Sequence, residues 1–170
     1  MPIKKILVVD DSPTERLALS EVLVKNGYQV VTAESGDEAV VKSKSEHPDL
    51  ILMDVVMPGT NGYQATRTIV RDDATRDIPV IMCTSKGLET DKIWGMRQGA
   101  FDYMVKPIDH KTLLDKIRAF NLSNSAAIVI FEALRQQGFP HMEKSHHYEN
   151  DKLKDDYNRP GRYQRNLPKH

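Results

Sequence analysis

Short apolar runs alternate with longer amphipathic stretches along the first 121 residues of the chain. "IKKILVV" from Ile3 reads as a strand and "PTERLALSEVLVKNG" as a helix. Pro13 suits the first helical position, Ser12 is a candidate N-cap and Gly27 a stop. Leu17, Val22 and Leu23, with Ala18 and Leu19, form the apolar face predicted for that helix. "YQVVTA", "DLILMD", "IPVIMCT" and the shorter "FDYMVKP" read as four further strands. Helices are predicted over "SGDEAVVKSKSEHP", "NGYQATRTIVRDDA", "LETDKIWGMRQGA" and "DHKTLLDKIRAFN", with Gly99 closing the fourth and Asp109 capping the fifth.

Five strand-then-helix repeats predict an α/β fold, with a parallel sheet covered on both faces. Runs such as "ILVV" and "LILM" lack clean alternation, as strands buried on both sides do. In such a sheet the functional crevice lies beyond the carboxyl ends of the strands. Asp10 and Asp11 fall at that end of strand one, and Asp54 at that end of strand three. If the strand order is 2-1-3-4-5, strands one and three are neighbours and the three carboxylates converge.

Each aspartate alone is equally well read as a solvated turn residue or a helix cap. Together they repel, and a cation is the inexpensive remedy. Mg²⁺ fits, because it takes one or two carboxylates and fills its other positions with water or phosphate oxygens. Strand four ends at Thr84 and strand five at Lys106. A hydroxyl, an ammonium and a divalent cation around one carboxylate would stabilise the charge on a transferring phosphoryl group, with Asp54 as the nucleophile.

Bulk properties narrow the class further. The 170 residues carry 24 basic and 24 acidic side chains, so no net charge draws the chain to nucleic acid or membrane. A single cysteine, Cys83, excludes an intramolecular disulfide and fits a reducing compartment. No segment approaches the roughly 20 apolar residues that span a bilayer, so no membrane insertion and a cytoplasmic location are expected. There is no G-x-x-x-x-G-K-[ST] loop, so nucleotide binding is not expected.

"VVDDSPTERL", "LILMDVVMPGTNGYQATR", "VIMCTSKG" and "DYMVKPID" resemble the receiver domain of bacterial two-component response regulators, in order and spacing, from Ile3 to Asn121. The resemblance implies a flavodoxin-like doubly wound sheet of order 2-1-3-4-5. It implies Asp54 as phosphoacceptor, Asp10 and Asp11 with Asp54 and the backbone carbonyl of Val56 as the Mg²⁺ site, and Lys106 as the phosphate-pairing lysine. Thr84 becomes the switch hydroxyl and Tyr103 the switch aromatic, and the Lys106–Pro107 bond is expected to be cis. The side chains flanking the path of hydrolytic water would be Val56 and Lys86. The output face would centre on Lys92 and Trp94, although Trp94 could instead pack on the sheet and Tyr103 could be an ordinary half-buried strand residue. Implied partners are a chemosensory-type histidine kinase and a downstream protein target. The wording "DSPTE", "VMPGTNGYQATR" and "ETDKIWGMRQGA" is most similar to twitching-motility response regulators of the type IV pilus chemosensory system.

A receiver finishes near Asn121, which divides the chain into residues 1–121, a possible extra helix at 122–138 and a polar tail at 139–170. Ile128, Phe131 and Leu134 lie at helical spacing in the middle piece. The tail is charged and nearly free of aliphatic residues, the composition of a disordered segment. Its His141, His146 and His147 lack the companion ligands of a metal site. Two other classes fit less well. A DNA-binding regulator would need a recognition helix that the last residues do not supply. A phosphoester hydrolase would need turnover, which an aspartyl acceptor paired with threonine and lysine disfavours.

Overall fold

The computed structural model describes residues 2–85 and 89–136. Five strands alternate with five helices: β1 (Lys5–Val9), α1 (Pro13–Lys25), β2 (Gln29–Ala33), α2 (Gly36–Ser45), β3 (Leu50–Asp54), α3 (Gly62–Arg71), β4 (Val80–Thr84), α4 (Glu89–Arg97), β5 (Asp102–Val105) and α5 (His110–Gln136). The sheet is parallel throughout, in the order β2-β1-β3-β4-β5. β1 therefore lies between β2 and β3, and the chain reverses direction across the sheet at the β1/β3 boundary.

Strand alternation sends neighbouring side chains to opposite faces. Ile6 and Val8 of β1 join Leu50, Leu52, Ile81 and Cys83 on one face, where Leu19 and Leu23 of α1 and Leu113 and Ile117 of α5 cover them. Leu7 and Val9 join Ile51, Met53 and Val80 on the other, under Ala39 of α2 and Ala65 and Ile69 of α3. A third cluster, Val55, Met82, Ala100 and Tyr103, has Tyr63 packed against it. Both faces of the central strands are buried, which is why those strands read as continuous apolar runs.

The helix ends follow local chemistry. Ser12 Oγ accepts from the Glu15 N–H, as an N-cap should. Asn61 and Gln64 form a reciprocal capping box on α3. Asp109 accepts from the Thr112 N–H at the start of α5. Gly27 and Gly99 have φ of +88° and +98° at the ends of α1 and α4, the left-handed geometry that glycine adopts without penalty. The Lys106–Pro107 bond is cis.

Two expectations need correction. Leu17, placed on the apolar face of α1, points outward and is 61% exposed; Leu19 and Leu23 carry the buried face. The fifth helix does not stop at Asn121: α5 runs on to Gln136, so the described part of the piece after Asn121 continues it. "SNS" looks like a break, but the Ser125 hydroxyl donates to the Asn121 carbonyl one turn back, an arrangement that leaves the helix intact. Asn121 Oδ1 accepts from the Ile3 N–H and ties α5 to the start of the chain.

By compactness the chain divides into Met1–Val129 and Ile130–His170. The first unit holds the whole sheet. In the second, the described backbone, through Gln136, is helical. The side chains of Ile128, Phe131 and Leu134, the stretch after Gln136 with His141, His146 and His147, and Lys86 lie outside the described residues.

Candidate functional site

The site lies where β1, β3, β4 and β5 end. Asp10 follows the last residue of β1, and Asp54 is the last of β3, two strands paired in register. One carboxylate oxygen each from Asp10, Asp11 and Asp54 lies within 4.8 Å of the others, the one such acidic group among the described residues. Asp10 and Asp54 are buried, at 2% and 4% exposure, whereas Asp11 faces solvent. The convergence expected from strand order is therefore present.

Lys106 enters from the end of β5, whose backbone is fixed by the Lys106 N–H donating to the Thr84 carbonyl at 2.7 Å. Its Nζ lies 2.8 Å from Asp10 Oδ2 and 3.3 Å from Asp54 Oδ1. A third carboxylate, Glu15 of α1, also holds this ammonium in a very short contact. Around them the backbone braces the acids: the Ser12 N–H donates to Asp10 Oδ1 at 2.8 Å, and the Val56 N–H donates to the Asp54 carboxylate. The Arg16 guanidinium donates to the Asp10 carbonyl and pairs with Glu34.

Burial dominates the electrostatics of the two inner acids. It pushes the Asp54 and Asp10 carboxyls above the usual range, although Lys106 pulls each back down. Glu15, at the rim, moves the other way, held below its ordinary value chiefly by its hydrogen bond from Lys106. Burial alone would lower the Lys106 pKa, but the hydrogen bonds to Asp10 and Glu15 and the nearby Asp54 charge outweigh it and the net shift is upward. Lys106 is therefore a firmly charged ammonium among acids that are not all comfortably ionised.

The hard-oxygen donor set fits Mg²⁺. Two buried carboxylates and an exposed one converge, and the single ammonium leaves negative charge uncompensated. Asp10, Asp11 and Asp54 would hold the ion, with the Val56 carbonyl as the further ligand implied by the resemblance.

Thr84 is fully buried at the end of β4. Tyr103 is buried at 8% exposure, its ring in the third apolar cluster with Met82, so in this conformation it contributes little to the surface. Gly95 makes room there: a Cβ at that position would lie 2.9 Å from the Met82 sulfur and 3.8 Å from the Tyr103 ring. Lys92 and Trp94 are both exposed on α4, Trp94 at 49%. Gly62 stands directly behind the acceptor candidate, its N–H donating to the Val55 carbonyl at 3.1 Å. Glu15 is the residue that reading the sequence overlooked. A first-turn glutamate is common for helix-dipole reasons, and only the fold brings its carboxylate to Lys106.

A five-stranded sheet of this order, with an acidic cluster at its topological switch point and a lysine opposite, defines a class, and comparison with known proteins bears it out. Residues 6–118 match the response regulator receiver domain, and the chain belongs to that family. Protein PilH of Pseudomonas aeruginosa is 55% identical over 115 residues, which cover 68% of this chain and 95% of PilH. Among solved structures, the chemotaxis protein CheY4 of Vibrio cholerae superposes with a TM-score of 0.65 at 32% identity, covering 69% of this chain and 98% of CheY4. The receiver domain of sensor histidine kinase PA1611 from Pseudomonas aeruginosa, solved with a magnesium ion coordinated in its active-site cleft, superposes with a TM-score of 0.64 at 31% identity, covering 68% of this chain and 95% of that one. Among the described residues no helix is long and apolar enough to cross a membrane.

Proposed function

We propose that this receiver is a phosphorylation-dependent response regulator of type IV pilus twitching motility, with Asp54 as its phosphoacceptor. A chemosensory-type histidine kinase presents a phosphohistidine at the strand ends. An Asp54 carboxylate oxygen attacks phosphorus in line, the P–N bond breaks, and the imidazole nitrogen leaves with the bonding pair and is protonated. The product is an acyl phosphate on Asp54. Mg²⁺, when bound by Asp10, Asp11, Asp54 and the Val56 carbonyl, supplies positive charge against the phosphoryl oxygens. Lys106 pairs with one of those oxygens, and its several acidic neighbours keep it charged for that role.

Thr84 Oγ then donates to another phosphoryl oxygen. Its shift is felt by Tyr103 and by the contacts of β4, α4 and β5, a two-state packing that the phosphoryl group biases. The readout is the exposed α4 surface around Lys92 and Trp94, which a protein partner reads. Trp94 suits an interface, being a large aromatic that is half exposed. The chemistry is phosphoryl acceptance and its slow hydrolytic reversal on one residue, not turnover of a free substrate.

One observation carries the reading: three carboxylates within 4.8 Å of one another face an ammonium 3.3 Å from Asp54. The pilus assignment rests on the likeness to PilH over 95% of its length. It is tested by expressing wild type and Asp54→Ala in a PilH-deficient Pseudomonas aeruginosa strain and measuring twitching zones. Altered zones with wild type only are expected. Equal zones with both would remove the pathway assignment.

A further inference from the structure

Three carboxylates compete for one ammonium, and they are not equivalent. Asp10 and Asp54 are buried, at 3% and 6% side-chain exposure, whereas Glu15 is 51% exposed. Of the three contacts, that with Asp54, at 3.3 Å, is the longest. Glu15 holds the ammonium from outside the acidic pocket, on the first turn of α1. That turn is itself anchored. Ser12 caps it through the Glu15 N–H, and Arg16 binds the Asp10 carbonyl on one side and Glu34 on the other. The Glu15 backbone is therefore fixed relative to Asp10, while its side chain is free to swing into water.

We infer that Glu15 is a releasable clamp on Lys106: it holds the ammonium at the α1 side of the site until a phosphoryl group on Asp54 competes it away. This inference rests on the reading of Asp54 as phosphoacceptor. Of the ammonium's three donor hydrogens, two are hydrogen-bonded, to Asp10 and Glu15, while Asp54 stands 3.3 Å away as an ion pair. To pair with a phosphoryl oxygen on Asp54, Lys106 must draw toward that side of the site and away from Glu15. Asp10 is a poor candidate for release, because losing its partner would leave a buried carboxylate with less compensation. Glu15 gives up the contact at small cost, since water replaces it. The unphosphorylated state is thus stabilised by a contact that the phosphorylated state loses. Glu15 is a positioning residue: it sets how readily phosphorylation proceeds without touching the reacting atoms.

The clamp predicts that Glu15→Gln, which keeps the size and removes the charge, accelerates phosphorylation. With phosphoramidate and Mg²⁺, Asp54 oxygen attacks phosphorus, the P–N bond breaks and ammonia departs with the proton. The observed rate constant, followed by intact mass, is expected to rise about threefold, the scale of a half-exposed ion pair. Glu21→Gln, which removes an exposed acid further along the same helix, should leave it unchanged. Beryllofluoride affinity, which involves no group transfer, should tighten similarly in Glu15→Gln. In a Lys106→Met background the same substitution should have no effect on that affinity, because the coupling runs through the lysine. With neither metal nor donor present, the ¹⁵N signal of the Lys106 ammonium should shift in Glu15→Gln and stay put in Glu21→Gln.

The failures separate cleanly. Wild type that acquires no phosphoryl group on Asp54 overturns the functional reading itself. Wild type that is phosphorylated at the same rate as Glu15→Gln overturns the clamp alone. An equal gain in beryllofluoride affinity without Lys106 replaces the clamp with a simple through-space charge effect.

Discussion

Replacing Asp54 by asparagine should make the metal-free protein more stable at pH 7. At 4.8 Å, the outer limit of the cluster, two carboxylates repel by about 3.5 kcal/mol at an effective dielectric of about 20. Asp54 faces two of them, Asp10 and Asp11. The Asp11 term falls toward about 1 kcal/mol because that side chain is in water. Against this, Lys106 at 3.3 Å attracts Asp54 by about 5 kcal/mol on the same scale. The pairwise terms thus come close to cancelling, and the desolvation of a carboxylate that is 4% exposed tips the balance toward a penalty. The upward shift of its pKa, led by burial, has the same sign. A neutral isostere removes that penalty, and Lys106 keeps Asp10 and Glu15 as partners. The expected gain is about 1–2 kcal/mol, which for a domain of this size is about 4–8 °C in Tm.

The assay is urea or thermal unfolding in chelator at low ionic strength, from pH 4 to pH 8. The pH dependence follows from the raised pKa. In the window between the unfolded value and the higher folded one, the native state of wild type binds the Asp54 proton before the unfolded chain does. Wild-type stability therefore gains from this group as pH falls through that window. The advantage of Asp54→Asn should be full above the folded pKa and shrink below it. Added Mg²⁺ should reverse the order, because binding to the native state alone stabilises wild type by mass action. An Asp54→Asn protein less stable than wild type at pH 7 without metal would refute the reasoning.

Gly62→Ala should cost about 2–4 kcal/mol in urea unfolding: its Cβ would stand 2.1 Å from the Asp54 carbonyl oxygen and 2.9 Å from the Val55 Cα, backbone atoms that cannot swing aside. A loss under about 1 kcal/mol would mean that α3 shifts freely against β3. Val56→Asn should shorten the lifetime of the phosphorylated state by about threefold to tenfold, since the exposed valine offers no polar group to orient attacking water and an amide does. Decay followed by intact mass after donor removal decides it, with equal half-lives counting against a role for this position.

The strands could be anticipated because each strand's sequence is dominated by one force, whereas their order followed from the family resemblance. Burial on both faces writes "LILMD" and "VIMCT" as apolar runs, and each run ends on the chemistry-bearing residue, Asp54 or Thr84. Helix starts were readable where a side chain caps its own turn, as Ser12 and Asp109 do. Helix ends were less so. Asn121 and the serines after it look like a stop, yet Ser125 donates one turn back along the helix and Asn121 spends its side chain on Ile3, a partner that lies outside any local window. The outward turn of Leu17 is equally invisible locally, because the face that α1 buries is set by the sheet beneath it. The same holds at the site. Asp10, Asp11, Asp54 and Lys106 announce themselves at strand ends, whereas the approach of Glu15 to Lys106 spans 91 residues and exists only once β1 and β5 share a sheet with α1 across the crevice.

The most direct test of the account is the intact mass of the full chain after incubation with Mg²⁺ and a small phosphodonor, beside Asp54→Ala treated alike. The account predicts that wild type gains one phosphoryl group, that chelator prevents it, and that Asp54→Ala gains none. Wild type that stays unmodified, or Asp54→Ala that is modified to the same extent, would contradict it.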